Sequence, residues 1–149
     1  MTRDVPEPPS AVLVGVDGSD AARAALERGL AIAARTDATV HLLAVVDSSA
    51  APLRFDVATV AELERAKRNL LETARDVADG EGVEVTGAVR RGRPAREIVR
   101  YATAHDVDLI VVGRTGLRGV AAPLLGSTAD RVLRRASVPV IVVPPPTDD

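Results

Sequence analysis

Short apolar runs of strand length alternate along the chain with longer segments whose apolar residues recur at helical spacing. That alternation builds a parallel sheet covered by helices. The first run, Ala11 to Val16, is followed by Asp17-Gly18-Ser19. Ser19 can cap a helix from about Asp20 to Arg35, with Ala22, Ala25, Leu26, Gly29 and Ile32 near one face. Val40 to Val46 is a second strand. After a loose stretch from Ser48 to Asp56, Thr59 and Glu62 form a capping box that predicts a helix to about Asp79, stopped by Gly80 or Gly82. Val83 to Val89 puts Val83, Val85 and Val89 on one face and Glu84 and Thr86 on the other, which reads as an edge strand with one side in water. Pro94 can start a helix through about Ala104, and Leu109 to Val112 is a continuous apolar strand ending at Gly113. Ser127 begins the last helix, with Asp130 in its first turn and Arg134 and Arg135 in its last, each sign matching the helix dipole. Val138 to Val143 is the fifth strand.

Five strands joined by about four right-handed crossovers make an α/β fold with a single open parallel sheet and helices on both faces. A barrel of this kind needs roughly 250 residues, and this chain has 149. With 46% apolar and 27% charged residues, one domain over residues 1–149 is expected, with poorly ordered Pro-rich tails at 1–9 and 144–149. In such a sheet, ligands lie beyond the carboxyl ends of the strands where the winding reverses, and Asp17, Val46 and Gly113 sit at such ends. The net charge of -2 supplies no overall basic field for nucleic acid. Without an apolar leader or a membrane-length apolar run, the chain is expected to be cytoplasmic and free of membrane. Cysteine is absent, and the single Phe55 and single Tyr101 offer no stacking platform, so a bound base would lie between aliphatic walls.

From Gly113 the chain reads Gly-Arg-Thr-Gly-Leu-Arg-Gly-Val-Ala-Ala-Pro-Leu-Leu-Gly-Ser-Thr, leaving a strand and entering a helix with glycines at 113, 116, 119 and 126. Glycines let backbone amides approach an anion, and a helix start gathers free N–H groups at one point. A turn-forming role explains one or two glycines; four, with Gly126-Ser127-Thr128 at the helix start, favour a phosphate loop. A Walker A loop needs Gly-Lys-Ser/Thr, but the only lysine is Lys67. A dinucleotide fingerprint belongs after the first strand, where only Gly18 stands, so a mononucleotide site remains.

The spacing Gly113-x2-Gly116-x9-Gly126-Ser127 resembles the ATP signature of the universal stress protein family. The resemblance extends from about Ala11 to Val143, through Val-Gly-Val-Asp-Gly-Ser at 14 to 19, Ala44-Val45-Val46-Asp47, Gly92-Arg93-Pro94, Asp108 to Gly113 and Ser137 to Val143. It implies a Rossmann-like fold of the adenine-nucleotide α-hydrolase kind, with strand order 3-2-1-4-5. It also implies an ATP-binding regulatory or stress-response protein whose conformation or partners depend on nucleotide. Asp17 would contact adenosine, and Val45 or Val46 would meet the adenine. Gly113, Gly116, Gly126, Ser127 and Thr128 would surround ribose and phosphates, with Mg2+ (or Mn2+) held among the phosphate oxygens. Asp17 has the alternative of merely capping its turn, and the two valines of being core. Arg114 and Arg118 have a claim on phosphate by position, a better one than the Arg90, Arg91, Arg93 and Arg96 cluster, which reads as a solvated loop.

No catalytic residue and no protein metal site is assigned. His41 is expected in or beside the core and His105 near a helix end, as two separated histidines rather than a cluster, and Ser127 has no histidine base to make it a nucleophile. A weak ATPase or autophosphorylating protein with Ser127, Thr128 or Thr115 as phosphoacceptor is the alternative function. Val138 to Val143, apolar except at Pro139, would be an open edge in the expected order, and the family resemblance suggests a homodimer paired along it.

Overall fold

The computed structural model describes residues 5–48, 57–115 and 124–147. Its elements run β1 (Ala11–Gly15), α1 (Asp20–Thr36), β2 (Thr39–Asp47), α2 (Val57–Asp79), β3 (Val85–Gly92), α3 (Pro94–Ala104), β4 (Leu109–Gly113), α4 (Ser127–Arg135) and β5 (Val140–Val143). The five strands form one sheet in the order β3-β2-β1-β4-β5, and every pairing is parallel. No helix among the described residues is long and apolar enough to cross a membrane.

Each face of the sheet has its own core because both faces of the central strands are apolar. Val12, Val14, Val40, Leu42, Ala44, Leu109 and Val111 meet α1 and α2 through Leu26, Leu30, Leu71 and Ala74. On the other face, Leu13, Leu43, Ile110 and Val112 meet α3 and α4 through Ile98, Tyr101, Ala129 and Val132. Successive residues of β1 and β4 therefore serve opposite cores, as a period of two demands.

Several expected signals act as read. Ser19 caps α1, its Oγ accepting from the Ala22 amide at 3.1 Å. Pro94 occupies the first turn of α3. Gly82, with φ of 68°, follows the end of α2 in the left-handed conformation glycine adopts without strain. Other boundaries differ. The described part of α2 starts at Val57, so Thr59 lies inside the helix and is not its cap. Strand β3 is displaced towards Gly92 because the long β2 offers it eight partners, from Val40↔Val85 to Asp47↔Gly92. Val83, Val85 and Val89 still pack on the α2 side, as their spacing predicts. Strand β5 begins only at Val140: Pro139 has no N–H to pair, although its carbonyl accepts from the Ile110 amide at 3.0 Å. Of the expected tails, residues 5–9 and 144–147 carry no regular secondary structure, while 1–4 and 148–149 lie outside the described residues.

Glycine 29 sets the distance between α1 and the sheet. A Cβ there would lie 2.7 Å from Cγ2 of the fully buried Val14. Alanine normally gains up to about 1 kcal/mol over glycine within a helix. Here the overpacking should win, and Gly29→Ala is expected to lose about 1–3 kcal/mol in urea unfolding. A stability equal to or above that of the unaltered protein would show that the contact yields.

Candidate functional site

Three chain segments meet beyond the carboxyl ends of β1, β2 and β4. β1 runs between β2 and β4, so Asp17 follows directly from the middle of the sheet. Its Oδ1 accepts from the Ser19 amide at 2.8 Å, closing the turn that lets Ser19 cap α1. The turn-capping role thus exists, and it occupies one carboxylate oxygen; among the described residues the other accepts no hydrogen bond. Gly18, with φ of 84°, completes the turn.

β1 stays beside β2 only as far as Gly15↔Leu43 and a last bond from the Val16 amide to the Leu43 carbonyl at 2.9 Å. Beyond that point the ladder of Val45, Val46 and Asp47 runs to β3, through Arg90, Arg91 and Gly92. The two valines differ. Val46 is 2% exposed and serves the core, whereas Val45 is half-buried, packed against the α3 and α4 core with part of its side chain accessible.

The loop after β4 is tied at its base. The Arg114 amide donates to the Val143 carbonyl and the Gly126 amide donates to the Arg114 carbonyl, both at 2.7 Å. One residue therefore joins the end of β4 to the end of β5 and to the cap of α4. The cap is Gly126, which has no side chain to satisfy the first-turn amides, and the Asp130 amide returns to the Gly126 carbonyl at 3.0 Å. The N–H groups of Ser127, Thr128 and Ala129 are the ones a helix leaves without internal partners. They carry the positive end of the helix dipole and form a ready anion site. Ser127 is exposed, Thr128 half-buried and Ala129 buried. Nearby, Nε of Arg114 is buried without a hydrogen-bond partner among the described residues, a donor whose burial an anion would offset. Gly116, Arg118 and Gly119 lie outside the described residues.

Gly113 has a role that its sequence context did not show. A Cβ there would stand 2.7 Å from the Ala21 carbonyl carbon, 2.8 Å from its Cβ and 2.9 Å from the Ala22 nitrogen. The first turn of α1 therefore rests directly on the end of β4.

Both histidines were expected to stand apart, and the structure corrects this. His41 Nδ1 lies 2.9 Å from the Tyr101 hydroxyl, and the His105 ring stacks on Tyr101 with centroids 3.8 Å apart. The two imidazole centroids are 5.8 Å apart, on the α3 side of the sheet near its amino end. Periodicity could place His41 in a strand and Tyr101 in a helix, but not against each other.

Comparison with known proteins follows the same outline. The family model described as "Universal stress protein family" matches residues 10–144. The chain is 35% identical over 139 residues to universal stress protein MJ0531 of Methanocaldococcus jannaschii, covering 91% of this chain and 82% of that one. Among solved structures it is similar to hypothetical protein MJ0577, with 27% identity, a TM-score of 0.84, and coverage of 93% of this chain and 98% of that one. It is likewise similar to a universal stress protein in complex with cAMP, with 29% identity, a TM-score of 0.71, and coverage of 93% and 99%.

The contact at Gly113 yields a direct expectation. Gly113→Ala must displace backbone, so it should cost about 1–3 kcal/mol or more in urea unfolding. An unchanged unfolding midpoint and slope would mean that α1 is not seated on β4 in this way.

Proposed function

The chain belongs to the universal stress protein family, and from that premise we propose that it binds an adenine nucleotide, ATP with Mg2+ or Mn2+, beyond the carboxyl ends of β1, β2 and β4. The observation that carries the reading is the tied base of the β4–α4 loop, which sets three free helix amides and the buried Arg114 Nε close to the end of β4. These donors suit phosphate oxygens. The second carboxylate oxygen of Asp17 would accept from the adenine amino group or a ribose hydroxyl. Val45 would wall the base, while Val46 would contribute through its main chain. The similarity to a protein solved in complex with cAMP supports the adenine part. A divalent ion would ride on the phosphates, since no His, Asp or Glu cluster among the described residues could hold one.

The bound nucleotide acts as a signal in this reading. Arg114, which would meet the phosphates, is tied by its own backbone to edge strand β5 and to the cap of α4. Occupancy would thereby bias the β5 edge, whose four residues are all half-buried and which we propose pairs with a second copy. Sedimentation should give a dimer at micromolar concentration; a monomer would remove that part of the proposal. No catalytic residue is assigned. Release of label from γ-labelled ATP beyond a Ser127→Ala control would favour the turnover alternative.

Calorimetry on nucleotide-stripped protein should detect Mg-ATP binding, and its absence at millimolar ligand with the fold intact would defeat the proposal. Ser127→Pro isolates the amide contribution. The first helical position accepts proline, and the preceding Gly126, at ψ of 159°, already has the extended conformation proline requires. The variant should fold and lose about tenfold in ATP affinity, the worth of one hydrogen bond to a charged group. Undiminished affinity would mean that the α4 amides do not hold phosphate.

A further inference from the structure

The chain's two histidines and its only tyrosine form one cluster that no part of the nucleotide reading uses. Tyr101, 6% exposed, projects from α3 into the second core, and its hydroxyl meets His41 Nδ1 on β2 at 2.9 Å. The His41 and Tyr101 rings meet edge to face, with centroids 5.5 Å apart. His105, which caps α3, stacks on the tyrosine at an interplanar angle of 12° and places its Nδ1 3.0 Å from the Tyr101 carbonyl oxygen. The Arg90 guanidinium of β3 lies 5.6 Å from the centre of the same ring. Three elements are thus joined through one tyrosine.

We propose that this cluster is an acid-sensitive clasp: neutral His41 holds α3 against the β2–β3 side of the sheet, and protonation of His41 loosens it.

The charges around His41 set the direction. The neighbouring β1 carries no ionisable side chain. From β3 and the residue before it, the register His41↔Thr86 puts Arg90 and, exposed at the near end, Glu84 on the same face. From α3 and its cap come Tyr101 and His105, while the one carboxylate of that helix, Glu97, is paired with Arg100 at 3.3 Å. In the turn that follows, Asp108 is committed to the Ser10 amide and hydroxyl and to the Ala11 amide, and Asp106 stands in left-handed backbone beside His105. Asp47 shares the face of His41 only at the far end of β2. The groups in contact with His41 are therefore a phenol, a second imidazole and, across the phenol, a guanidinium.

A proton on His41 adds positive charge to that set. It also changes the hydrogen bond. Either partner can donate while the ring is neutral, but in the imidazolium Nδ1 can only donate, so the tyrosine hydrogen must turn to another acceptor. Burial, and then the charge of His105, hold the His41 pKa below its ordinary 6.5, while burial raises that of Tyr101 against the lowering effect of Arg90. A depressed pKa in the folded state means that the unfolded chain takes up the proton first as pH falls. The contribution of neutral His41 is then complete above the unfolded value of 6.5 and is lost as pH falls through the folded one. The clasp opens in the direction of acid, within the range only histidine reads unaided.

Ring-proton NMR of the whole chain, together with amide exchange between about pH 7.5 and about pH 5.5, tests this. His41 should titrate below 6.5. The amides of α3 should lose protection at the acid end beyond the intrinsic pH effect, and His41→Gln, which keeps a polar partner for Tyr101 but cannot charge, should remove that loss. His105→Gln should move the His41 midpoint upward and supplies a second test if the first variant fails to fold. A His41 midpoint at or above 6.5, α3 protection indifferent to pH, or an undiminished pH effect in His41→Gln would each overturn the proposal.

Discussion

Ala21 and Ala22, in the first turn of α1, lie so close to Gly113 at the end of β4 that no side chain fits between them. That single contact fixes the upper edge of the sheet. Its backbone-to-glycine distance seats the start of α1 on the neighbouring strand, and with it the Asp17 turn whose Ser19 caps that helix. It also sets where β4 ends and therefore where the following loop departs. The Asp17 turn and the end of β4 are neighbours because β1 and β4 are paired, and the start of α1 reaches β4 because Gly113 has no side chain. In interiors packed as densely as crystals, such a contact leaves little room for adjustment.

The site built on that edge draws its positive potential from backbone rather than from net charge, which is negative for the whole chain. A helix cap without a side chain, first-turn amides that the helix itself does not pair, and a buried guanidinium nitrogen with no partner among the described residues all belong to this end of the sheet. Such a site can favour an anion without giving the surface a basic field that would also attract nucleic acid. Arg114 is central to it, since its main chain is bonded in both directions while its buried Nε has no partner among the described residues.

Most of the fold was legible because each strand of the doubly wound sheet announces itself by its apolar residues and each helix by apolar residues at helical spacing, even where, as with Thr59 in α2, the expected start signal is not the cap. Ser19 and Pro94 are local devices, and they operate where the sequence places them. The errors came where a partner decides. β3 runs on through Arg90 and Arg91 because β2 is there to pair with it, and β5 starts late because Pro139 cannot donate. At the candidate site the sequence indicated the residues but not their division of labour. Asp17 was legible as either turn former or ligand, and the geometry shows the turn role on one oxygen. Val45 and Val46 look alike in sequence, and only the alternation of β2 separates a half-accessible side chain from a buried one. Gly113 was read as a phosphate glycine, yet its contact is with a helix nearly a hundred residues earlier in the chain, which no local pattern encodes. The meeting of His41, Tyr101 and His105 was hidden for the same reason.

The edge formed by Asp17, Val45 and the start of α4 is the nucleotide site we propose. A crystal structure of the protein purified without added ligand and then soaked in Mg-ATP tests it most directly. Density is expected for the base beside Val45, for the ribose within reach of Asp17, and for phosphates on the Ser127 to Ala129 amides and Arg114. A well-ordered structure at saturating nucleotide with that edge filled by water alone, or with the nucleotide bound elsewhere, would contradict it.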